Sequence, residues 1–189
     1  MWVASIVAVS LAAWAGSASA EDSADDDAPT VYMTPTLSCA EFHKRFSEID
    51  DAHDDLLPDL ELEPSKFSLS SGKLENVTNL RNVRAAIECD AEDKFRGLGA
   101  SLLETGQADI ARFAVLFQTV VMAISPELQS SEAARLQSRL VKESTDDSVK
   151  AEIRDGFRVG TADAELGHYR VSLTLGPDRA SMHIDLRSQ

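Results

Sequence analysis

Hydrophobic positions along this chain follow two periods, and each change of period marks a new element. Phe42, Phe46, Ile49 and Leu56 are spaced by four, three and seven, which places them on one face of a helix. Ser38 is suited to cap that helix, with Glu41 completing an S-x-x-E capping box, and Pro58 is expected to end it. Pro64 opens a loop that includes Ser70-Ser71-Gly72. Leu74, Val77, Leu80 and Val83 then come at intervals of three, too few for a solenoid, so a bulged or irregular edge segment is expected.

The period next changes to two. Val83, Ala85, Ile87 and Cys89 alternate with polar residues as in a half-buried strand. Ala91-Glu92-Asp93 turns the chain into a partner strand, Lys94 to Leu102, where Gly97 and Gly99 suggest a bulge or a closely packed backbone. Ile110, Phe113, Phe117, Val120 and Ile124 form a helical stripe. Ala111, Val115, Leu116, Val121 and Met122 make the other sides apolar as well, so this helix reads as central and buried. Ser125-Pro126 reads as the start of another helix, with Ala133, Leu136 and Leu140 inward and Arg135, Arg139 and Lys142 outward. Ile153, Phe157 and Val159 suggest a strand.

The final hairpin is the clearest pattern. Tyr169, Val171, Leu173 and Leu175 alternate inward, Gly176-Pro177-Asp178-Arg179 turns, and Ala180, Met182, Ile184 and Leu186 return. Strands in groups predict an α+β fold. Its mainly antiparallel sheet, of five to six strands in two hairpin-like groups, packs against a central buried helix and two further helices.

The leader changes the picture of where this domain folds. Met1 to Ala20 carries no charge and ends in Ala18-Ser19-Ala20, a signal-peptidase pattern just before Glu21-Asp22, so cleavage is expected after Ala20. Residues 21–36 read as a disordered acidic linker and residues 37–189 as a single domain. Asp109 and Arg112 in the first turn of the apolar helix argue against a membrane span after cleavage. The address is bacterial and periplasmic, with onward secretion open. In that oxidising setting Cys39 and Cys89, the two cysteines, are expected to form a disulfide.

Charge excludes some partners. The formal net charge is −14, nearly all of it before Pro64, so nucleic acid is not an expected partner. Two constellations could carry chemistry. On the first helix His43, Asp50 and Asp54 fall near one face and could hold a divalent cation. On the last hairpin the turn sets Ser172 opposite His183 and Arg170 opposite Asp185, one polar face from which a hydrolase could be built. The chain has no G-x-S-x-G elbow, H-E-x-x-H motif or Gly-rich phosphate loop. No cofactor is implied. The expectation is a non-enzymatic binding or interaction protein of the bacterial envelope, its partner an unknown protein or small molecule. The metal site and the hydrolase stand as alternatives.

Overall fold

The computed structural model describes residues 33–52, 57, 61–64, 72–77, 79–80, 82–103, 106–155, 158–177 and 179–187. The expected leader and cleavage site, residues 21–32 of the expected linker, Asp54, Leu56, Pro58, Ser70-Ser71 and Phe157 lie outside the described residues.

Helix α1 spans Cys39–Asp51, beginning where the serine predicts: Ser38 Oγ accepts from the Glu41 N–H at 3.0 Å. The capping box is half made, because the Glu41 carboxylate reaches forward to Arg45 (2.9 Å). The helix closes at Asp51, well short of Pro58. Its buried face is Phe42 and Phe46.

The loop expected after Pro64 lies outside the described residues. Pro64 itself ends β1, Leu62–Pro64, a short strand at one sheet edge, where a residue without an N–H is tolerated. Strands β2 (Gly72–Val77), β3 (Val83–Asp90) and β4 (Phe95–Leu102) continue as an antiparallel meander. The three-residue apolar spacing is a hairpin in disguise: Leu74 and Val77 lie on β2, Leu80 is buried in the connection, and Val83 starts β3. Asn82 turns the chain with φ 57°, a left-handed conformation that asparagine adopts more readily than most residues. A bulge falls where glycines suggested one. Glu88 pairs with Gly97 but Cys89 with Phe95, leaving Arg96 unpaired between them.

Helix α2, Gln107–Ile124, is long and apolar enough to cross a membrane, yet it is the packed inner helix, with Phe117, Val120, Val121 and Ala123 fully buried. Helix α3 spans Ser130–Asp155 and does not start at Pro126. Instead Ser125 ends α2, Pro126 lies in a turn, and the Glu132 carboxylate caps the Gln129 N–H at 3.0 Å. This helix also takes in Ile153, which the alternation assigned to a strand.

The chain then forms β5 (Gly160–Leu166), β6 (Tyr169–Gly176) and β7 (Arg179–Leu186). Strand order is β1-β2-β3-β4-β7-β6-β5, so two meanders meet at β4–β7 in one antiparallel sheet of seven strands. The fold is α+β as expected, with more strands than the five to six read from the sequence.

The sheet has two unlike faces. Ala85, Ile87, Leu98, Ala100, Val171, Met182 and Ile184 point toward the helices, whereas Arg84, His183, Asp185 and Arg170 point to water. At one end of the strands the disulfide Cys39–Cys89, with Cα atoms 6.2 Å apart, pins α1 to β3. Its burial and complete pairing are compatible with an oxidising compartment. Beside it Phe42 stacks on Phe95 at 4.4 Å between ring centroids, and Phe95 meets the edge of Tyr169 at 5.6 Å. The Tyr169 hydroxyl donates to the Phe95 carbonyl, and burial pushes the phenol up to about 12. Residues before α1 seal this end further: the Met33 N–H donates to the Arg187 carbonyl, and the His168 ring meets the Thr34 carbonyl.

Candidate functional site

The hairpin register is the one read from the sequence: Leu175 faces Ala180, Ser172 faces His183 and Arg170 faces Asp185. The neighbouring strand, which the sequence reading put earlier at Ile153, Phe157 and Val159, changes the chemistry. Strand β5 sets Asp163 opposite Ser172, so one row across the sheet runs Asp163, Ser172, His183. The serine occupies the centre, where a nucleophilic triad requires the imidazole. Asp163 pairs with Arg170, and Ser172 also hydrogen-bonds to it; burial works to raise this carboxyl, and those bonds outweigh it and hold it below the ordinary carboxylate range. Among the described residues no hydrogen bond joins His183 to a carboxylate.

Of the proposed metal ligands, His43 is half-buried, its Nε2 enclosed without a hydrogen-bond partner among the described residues. Burial lowers its pKa, opposed by the charges of Glu75 and Asp93. Asp50 is buried, and its Oδ1 accepts from the Leu57 N–H at 3.2 Å, fastening the chain that follows α1. Asp54 lies outside the described residues. A closer group of ligand-type atoms, Cys39, Cys89 and Asp93, is occupied by the disulfide itself.

An open cleft lies elsewhere. Helix α3 packs over β5 and β6, α2 packs against β4, and β7 lies between them in the sheet. Two features hold α3 toward the β5 edge. Gly160 comes so close that an added Cβ would sit 2.0 Å from the Ser144 carbonyl oxygen, and Ser144 Oγ donates to the Gly160 carbonyl at 2.6 Å. Small residues Ala162 and Ala164 complete the inward row of β5. At mid-length the two helices are clamped by glutamines: Gln118 donates to Gln137 Oε1 (2.6 Å), and Gln137 donates to the Ala114 carbonyl (3.2 Å). Beyond the clamp lies a cleft of about 620 Å³. Its floor is Leu102, Leu173, Leu175 and Ala180, and its walls are the first turns of α2 and the middle of α3.

Exposed apolar residues converge there. Four large hydrophobic side chains of the described residues are notably exposed, and three of them, Ile110 (50%), Val141 (40%) and Val149 (46%), line this one cleft. The fourth, Leu103, follows the lining residue Leu102. The polar groups in the wall are already satisfied. Thr145 Oγ1 donates to the Val141 carbonyl at 2.7 Å and Ser148 Oγ to the Thr145 carbonyl at 2.9 Å, one helix turn back on α3.

The sequence reading missed this site and put Ile110 in the buried stripe of α2. One signal was present. Gln137, Val141, Thr145, Ser148 and Val149 form an uncharged strip down a helix whose other outward positions are mostly charged.

Comparison with known proteins finds no matching family model, no similar curated protein and no similar solved structure, so the site itself has to carry the functional reading.

Proposed function

We propose that this chain is an exported binding protein of the bacterial envelope, acting in the periplasm after loss of residues 1–20, and that its cleft takes a small apolar ligand. The observation that carries the reading is the gathering of Ile110, Val141 and Val149 around one opening in an otherwise acidic protein. Exposed apolar side chains scattered singly need no explanation, but their concentration beside a hydrophobic floor marks a binding surface. Size favours a small molecule: 620 Å³ lies within the range of roughly 300–1,000 Å³ typical of ligand pockets. The wall hydroxyls, turned back on their own helix, ask nothing of a guest, which suits an apolar one.

The test uses a neutral, environment-sensitive dye such as Nile red. Wild-type protein should bind it saturably at one site, and Val141→Glu, which places a charge at the opening, should abolish binding while leaving the circular dichroism spectrum unchanged. Absence of saturable binding to the wild type would refute the reading. Export is tested separately, by finding the chain in the osmotic-shock fraction with Glu21 as its first residue.

A further inference from the structure

Charge around the cleft narrows the class of ligand. The chain has 32 acidic residues against 18 Lys and Arg, yet no acidic side chain lines the cleft among the described residues. Its charged lining residues are Arg158 and Arg179. Both are exposed, so they can reach a ligand's head while remaining hydrated. Arg158 Nε contacts Glu152 at 2.7 Å, a solvent-facing pair that a ligand could share. Arg179 makes no ion pair among the described residues. It leaves the β6–β7 turn beside Gly176, where an added Cβ would come within 3.2 Å of its Cγ, so the bare glycine lets the stem lie flat along the turn.

We propose that the cleft binds an amphiphile with an apolar tail and an anionic head, the tail lying between α2 and α3 and the head paired with Arg179 and Arg158. This rests on the cleft being a ligand site, and it adds the sign of the head. A protein of net charge −14 repels anions at a distance, so a rim whose charged lining residues are arginines, Arg179 among them without an ion pair, around an apolar hollow is selective for a guest that supplies both parts. Guanidinium pairs well with carboxylate, sulfate and phosphate, and the shared requirement is the anion.

The experiment titrates wild-type mature protein with dodecanoate, dodecyl sulfate, dodecanol and dodecyltrimethylammonium below their micellar concentrations, and repeats the series with Arg179→Gln and Arg158→Gln. Both anions should bind about fivefold or more tightly than the alcohol, and the cation more weakly than the alcohol. Arg179→Gln should bring the anions close to the alcohol without changing the alcohol's own affinity. Lengthening the chain from eight to twelve carbons should tighten binding by roughly fourfold per methylene. Equal binding of alcohol and anion, or preference for the cation, would overturn the anionic head while leaving an apolar ligand site intact. Failure of all four chains and of Nile red would overturn the site as well. A dimer in sedimentation that Val141→Glu dissociates would show the occupant to be a second copy, which also overturns the proposal.

Discussion

The two ends of helix α2 sit in opposite environments. Its C-terminal half is sealed: Phe117, Val120, Val121 and Ala123 are fully buried, and Arg45 of α1 reaches over to the Ala123 carbonyl at 3.4 Å. Its first turns carry Ile110, half exposed, at the mouth of a cleft. The sheet beneath repeats the contrast. One end holds the disulfide and the Phe42–Phe95–Tyr169 stack, and the other holds Leu102, Leu175 and Ala180 under an opening. One sequence thus closes its core at one end and leaves it open at the other. Residual apolar exposure confined to the open end is a property of the site, not of loose folding throughout.

The sealed end should give the largest response to mutation. Cys39 and Cys89 are 50 residues apart, and closing such a loop stabilises a fold by about 4 kcal/mol in the chain-entropy model. Replacing both cysteines by alanine should lower the urea-unfolding free energy by about that amount. If the open end unfolds independently, dye binding at the cleft will survive under conditions where the sealed end exchanges its amides.

Tyr169 sharpens the contrast at a smaller scale. Its phenol stays protonated in the fold up to about 12, whereas the unfolded phenol ionises near 10. The unfolded state therefore loses its proton first. Stability from this group is complete below about pH 10 and declines between about 10 and 12, by roughly 3 kcal/mol. Tyr169→Phe should remove that alkaline decline. At pH 7 it should cost about 1 kcal/mol, because the buried Phe95 carbonyl loses its donor. Subtracting the two unfolding curves isolates this group from lysines that titrate nearby.

Strand alternation, turns and caps were legible in the sequence. The β6–β7 register could be derived residue by residue because large apolar residues alternate strictly and a four-residue turn fixes the pairing. Ser38 located the start of α1 through its cap, and the expectation of export pointed to the disulfide that the structure shows. Strand β5 was placed several residues too early because its inward positions are Gly160, Ala162 and Ala164, which carry little hydrophobic signal; they are small because α3 passes so close. The start of α3 was misread because Pro126 fits a helix start as well as it fits a turn. The cleft depends on how far α2 and α3 separate over β7, a distance that no local pattern encodes. The uncharged strip along α3 was its one trace.

The smallest predicted effect is the most telling. In a sealed core, removing an aliphatic side chain costs about 2–5 kcal/mol, part of it for the cavity left behind. At the open end the side chains already face water, so polar replacement removes little burial and creates no void. Ile110→Ser and Val149→Ser should each change the unfolding free energy by about 0.5 kcal/mol or less, measured by urea titration. Both should weaken dye binding at the cleft. A loss above about 2 kcal/mol would mean that these residues hold the core together, and that the opening is only a thin place in its packing. Near-neutral stability with weakened binding would mean that the apolar groups at this rim are held in place for a guest.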